Sequence, residues 1–92
     1  MRLSDFKIGD YGIIRGIDLS FRPVDNDLDH DELERRLLEM GFVEGARVQL
    51  LHEGLIGRDP MAVKLDDMRV ALRRREAQSI TVEREVSSIL AS

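Results

Sequence analysis

The chain has 92 residues, and at this length roughly 60–65% of the unfolded surface can be buried, enough for one small core and too little for a deep enzyme pocket. A net charge of −4, with 35% of residues charged, argues against a nucleic-acid binder, which concentrates cations to displace counterions from phosphates. The absence of cysteine excludes disulfides, thiolate zinc sites, iron–sulfur clusters and cysteine nucleophiles, and no apolar run approaches the ~20 residues that cross a bilayer.

Met1 to Asp5 lacks a signal-peptide apolar core, so a cytoplasmic domain without membrane insertion is expected. Leu3 to Asp10 reads as a lead-in that plugs one end of the core. Tyr11 to Ile17 reads as a first strand, with Gly12 and Gly16 marking a bulge or sharp coiling. Leu19 to Asp27 carries Pro23 and the turn residues Asp25, Asn26 and Asp27, a loop. One helix follows over about 29–40. Asp29 stands as its N-cap, Glu32 completes a capping box, and Leu28 with Leu33 has the spacing of a hydrophobic staple. Leu33, Leu37 and Met40 form the buried stripe, widened by Leu38, and Gly41 takes the left-handed position that ends the helix.

After Gly45 the period becomes two. Val48, Leu50 and His52 share the inward face of a strand, with His52 half-buried. Glu53 to Pro60 contains Gly54, Gly57 and Pro60 and reads as a loop. Ala62 to Leu65 and Met68 to Arg73 make a hairpin across Asp66-Asp67, in which aspartate tolerates a positive φ. Arg74 to Ser79 is a turn or single helical turn with Ala77 packed, and Ile80 to Val82 is the last strand. The result is a mainly β fold: a small, partly open barrel of about five strands with one short α-helix. The domain spans 1–83, and a tail over 84–92, apolar at Val86, Ile89 and Leu90, docks as an extra turn or frays.

The chain carries no nucleotide-binding glycine motif and no nucleophile elbow, so no catalytic residue is assigned and a non-enzymatic role is expected. The acidic stretch Asp25 to Glu32 begins like a calcium loop, but His30 stands where that loop needs glycine and Arg36 where it needs glutamate. His30 and Glu34 lie one helical turn apart and are the candidates for a divalent ion. Two ligands fall short of a resident site, so no cofactor is assigned. For partner contact the candidates are Leu51, Leu55 and Ile56 beside Arg58, an apolar cluster in the expected loop, and Arg74 from the run Arg73-Arg74-Arg75. Pairing of two copies through a strand edge or the tail is a further reading.

Four ordered motifs then stand out: Leu3-x-x-Phe6-x-x-Gly9; Arg36-Leu37-Leu38-Glu39-Met40-Gly41-Phe42-x-x-Gly45-x-x-Val48; Gly57-Arg58-Asp59-Pro60-Met61-Ala62-Val63; and Val70-Ala71-Leu72-Arg73-x-x-Glu76-Ala77-x-x-Ile80-x-Val82. Together, from about Leu3 to Glu83, they resemble the FeoA family of bacterial ferrous iron uptake. The resemblance implies an SH3-like barrel that serves as a protein-interaction module on FeoB, the membrane transporter with a cytoplasmic GTPase domain. The related SH3-like domain of DtxR-type repressors gives the alternative, a divalent-metal-sensing regulatory domain. Three features depart from the family pattern: the long acidic connection from Asp18 to Asp29, Arg58 inside the G-D-P motif, and Asp66-Asp67 where glycine is common.

Overall fold

A computed structural model describes residues 1–20 and 30–85. Five strands, β1 (Tyr11–Ile17), β2 (Arg47–Ile56), β3 (Asp59–Leu65), β4 (Met68–Leu72) and β5 (Ile80–Glu85), form one antiparallel sheet in the order β4-β3-β2-β1-β5. The end strands β4 and β5 do not pair with each other, so the sheet is an incompletely closed barrel, mainly β as expected. A 3₁₀ turn at Leu3–Asp5, the helix α1 (His30–Met40) and the four-residue helix α2 (Arg74–Ala77) complete the described chain.

The core follows from the periodicities. Leu33 and Leu37 bury the helix stripe, while Val48, Leu50, Met61, Val63, Leu65, Ile80 and Val82 fill the inner sheet face. Leu3 and Phe6, from the lead-in, are buried at one end of it. Burying side chains of this size contributes about 1.5–3 kcal/mol each, which is how so short a chain holds a fold. Gly41 has φ +111° and ends α1 in a Schellman arrangement: Phe42 N–H donates to the Leu37 carbonyl at 3.1 Å and Gly41 N–H to that of Leu38 at 3.0 Å. The glycine-marked bulge falls between Ile14 and Gly16 on β1, opposite Val82 and Thr81. Asp66 adopts φ +52° in the β3–β4 turn and accepts a hydrogen bond from Arg47 N–H at 3.0 Å.

Four expectations change. Leu38 faces solvent rather than widening the stripe, because the helix buries only the Leu33–Leu37 line with Met40 partly covered. His52 is exposed: an extra residue on β2 between Leu50 and His52 reverses the alternation and sets His52 opposite the outer-face Ala62. Glu53 to Pro60 is a hairpin, not an irregular loop, with β2 running to Ile56 and β3 starting at Asp59. The last strand continues to Glu85, so Arg84 and Glu85 belong to the sheet. The Asp29 cap, the Leu28 staple, the acidic stretch before His30 and the tail from Val86 lie outside the described residues.

The N-terminus is bound to β5. Val82 N–H donates to the Met1 carbonyl at 2.8 Å, Arg2 bridges Thr81, and the Arg2 guanidinium reaches Asp18 at 3.1 Å. The Ser20 hydroxyl, then the Ser20 N–H and Arg2, hold the Asp18 carboxyl down at about 2, against an ordinary 3.8. Because the folded pKa lies below the unfolded one, the ionised carboxylate stabilises the fold above about pH 4, and that contribution disappears as pH falls toward 2. Thermal melts of the wild type and Asp18→Asn across this range are expected to differ above pH 4 and to converge below it. A gap that stays constant with pH would contradict the assignment.

Candidate interaction surface

The β2–β3 hairpin ends in a two-residue turn at Gly57-Arg58, with φ +63° and +60°, the primed geometry whose twist matches that of the flanking strands. Arg58 therefore holds a backbone conformation that usually falls to glycine or asparagine. Just before the turn, Leu55 is 101% exposed and Ile56 89% exposed, so both apolar side chains stand in water. The sequence leaves open whether this cluster packs under the loop or faces out; the structure places Leu55 and Ile56 outward, while Leu51 is half-buried at the base.

The tip is held rigidly from below. Arg74 lies within the fold, its side chain 13% exposed, rather than at the surface as a contact candidate would. It pairs with Glu53, itself 16% exposed, donates from Nη1 to the Ser4 carbonyl at 2.6 Å and from Nε to the Arg58 carbonyl at 3.0 Å. One guanidinium thus ties β2 and the hairpin turn to the N-terminal turn. Asp59 adds a cap, accepting the Arg74 N–H at 2.7 Å, and Glu76 accepts the Arg73 N–H at 2.9 Å while pairing with Arg36 of α1. The D-P and L-R-x-x-E-A motifs are therefore two halves of one brace. Glu53 and Gly54 complete it, and only their proximity to Gly57-Arg58-Asp59 in the sequence hinted at that.

A Cβ on Gly54 would fall onto the carbonyl of Asp59, so the hairpin backbones touch there. The other candidates do not gather with the tip. Glu34 is half-buried on α1, and the His30 side chain lies outside the described set. Among the described residues no three His, Cys, Asp or Glu side chains group closely enough to hold a metal ion, and no helix is long and apolar enough to cross a membrane. A separate open groove of about 360 Å³ lies on the outer sheet face, lined by Tyr11, Arg47, Gln49, Lys64 and Glu85 among others. Its ionisable groups come from four strands and, at Asp66, from the β3–β4 turn.

Comparison with known proteins now adds to this geometry. The FeoA domain family matches residues 1–84. The Fe(2+) transport protein A/Fe(2+) transporter FeoB fusion protein of Porphyromonas gingivalis (strain ATCC BAA-308 / W83) is 35% identical over 83 residues, covering 90% of this chain and 8% of that much longer protein. Among solved structures, FeoA of Stenotrophomonas maltophilia, a prokaryotic SH3 domain protein crystallised with zinc, superposes with a TM-score of 0.72 at 28% identity over 92% of this chain and 95% of its own. FeoA of Chlorobium tepidum gives a TM-score of 0.69 at 30% identity over 90% of this chain and 69% of its own. A manganese-dependent transcriptional repressor, at 23% identity, TM-score 0.68, 89% of this chain and 40% of its own, shares the fold alone.

Proposed function

Because the chain belongs to the FeoA domain family, we propose that it is a non-catalytic accessory domain of ferrous iron uptake that docks on a FeoB-type transporter, with the β2–β3 tip as its contact. The observation that carries this reading is the fusion protein, in which a segment 35% identical to this chain shares one polypeptide with the transporter. Covalent linkage makes the effective concentration of two modules high and is a natural arrangement for partners that work in contact. The tip supplies the physical means. Leu55 and Ile56 are exposed apolar side chains on a braced hairpin, so seating them in a pocket costs little ordering and removes apolar surface from water. Arg58 beside them adds a cation able to orient the contact.

The test is association of the purified domain with the intact transporter in lipid nanodiscs, with and without guanine nucleotide. Micromolar binding is expected for the wild type. The Leu55→Ser/Ile56→Ser variant should bind at least about tenfold more weakly, since each lost anchor is worth about 1–2 kcal/mol, while melting like the wild type because neither side chain is in the core. Lack of wild-type binding in either nucleotide state would refute the partnership. Undiminished binding by the double variant would refute the surface.

A further inference from the structure

We propose that the exposed edge of β4, together with the cations on the outer face beside it, docks an extended acidic segment of a partner protein as a sixth strand of the sheet. The β3–β4 register sets Lys64 directly opposite Arg69. Like charges so placed, about 5 Å apart at Cβ, oppose folding. Gln49 lies opposite Lys64 on the other side, and Arg47 stands two residues before it, so Arg47, Lys64 and Arg69 form a diagonal of cations across three strands. All three side chains are exposed, and among the described residues none forms a side-chain ion pair, although Asp66 and Glu85 line the same groove as Arg47 and Lys64.

The edge beside this row is open. β4 ends the sheet, and among the described residues no other strand pairs with its outer side, whereas the opposite end strand β5 is covered by Met1 and Arg2. Along β4, Arg69 and Ala71 point outward. Met68, Val70 and Leu72 point toward the core side, where Leu72 is buried, Val70 half-buried and Met68 exposed. An incoming strand would therefore meet apolar side chains on one face and cations on the other. The occupant that matches both is a strand alternating acidic and apolar residues. A second copy of this chain matches poorly, because antiparallel pairing of two β4 edges brings the Lys64–Arg69 cations of both copies onto one face. This surface is independent of the hairpin tip, and neither reading needs the other.

The probe is the end-blocked peptide Glu-Val-Glu-Val-Glu-Val-Glu, titrated into the isotope-labelled full-length chain, with its Lys-for-Glu counterpart as control. Amide shifts centred on Met68 to Leu72, slowed hydrogen exchange there, and roughly tenfold weaker binding on moving from low to high salt are expected. Arg69→Glu places an opposite charge across from Lys64, so its melting temperature is expected to rise by a few degrees while peptide affinity falls at least about tenfold. Lys64→Gln, also at an exposed position, gives a smaller loss in the same direction. No saturable binding at peptide concentrations on the order of 1 mM, equal binding of the lysine peptide, shifts centred elsewhere, or wild-type affinity in Arg69→Glu would each overturn the proposal.

Discussion

Gly54→Ala is expected to destabilise the fold by about 2–4 kcal/mol, a large fraction of the 5–15 kcal/mol that a small domain commands. The cause is backbone against backbone. The added Cβ meets the carbonyl oxygen and carbon of Asp59 and the nitrogen of Pro60, none of which can turn aside as a side chain would. Relief requires the β2 and β3 backbones to separate, and Asp59 cannot move without loosening its 2.7 Å bond to the Arg74 N–H. Gly57 gives the contrast that makes the claim testable. At φ +63° alanine is strained there by about 1–2 kcal/mol, but nothing lies within 4 Å of its Cβ. Urea unfolding at unchanged m-value should therefore rank the variants wild type, Gly57→Ala, Gly54→Ala in falling stability. If Gly54→Ala proved no worse than Gly57→Ala, close approach would not be what fixes glycine at 54.

Gly54 also shows why the sequence was legible in some stretches and not in others. The helix was readable because its cues are local: the Leu33–Leu37 stripe and the stop at Gly41 need only neighbours a turn away. The same holds for β1 and for the Asp66-Asp67 turn. Between Glu53 and Pro60, two glycines and a proline carry the local signature of a loop, yet each serves the hairpin for a reason found on another strand. Gly54 yields to the Asp59 backbone, Gly57 takes the turn, and Pro60 falls opposite the bulge between Glu53 and Ile56 and beyond the end of β4 pairing, where no ladder N–H is needed. His52 was misplaced for a related reason. One extra residue at Leu51 inverts His52 and Glu53 before a second shift between Glu53 and Ile56, and period-two reasoning contains nothing that announces either.

The exposed hairpin tip was legible in part. Leu55 and Ile56 stood out because apolar residues in a polar stretch demand an explanation, and their exposure makes them the tip. Arg74 stood out for the wrong property. In a run of three arginines it resembled surface charge, but as the first residue of α2 it carries its side chain inward, where Glu53 and two carbonyls receive it. The family motif around Glu76-Ala77 is explained in the same way. Glu76 caps α2 from within and ties it to α1 through Arg36, so this motif serves folding.

The brace predicts the second large effect. Arg74→Met keeps most of the aliphatic stem but removes the donors to the Ser4 and Arg58 carbonyls and leaves the Glu53 carboxylate without its cation at a site only 16% exposed. Breaking one side of such a pair costs about 3–5 kcal/mol, chiefly because the remaining charge stays desolvated. The double variant Arg74→Met/Glu53→Gln removes that stranded charge. It should therefore be more stable than the sum of the single changes implies, with a coupling of at least about 1 kcal/mol in a chemical-denaturation cycle. Strict additivity, or an Arg74→Met loss below about 0.5 kcal/mol, would place the guanidinium outside the brace. If the tip is the docking surface proposed above, folding and docking are linked through a buried residue. Under conditions where Arg74→Met remains folded, hydrogen exchange at Leu55 to Arg58 should quicken and affinity for the transporter should fall, although the Arg74 side chain lies beneath the tip, because a two-stranded tip without its anchor is marginally stable and must be ordered again on every encounter.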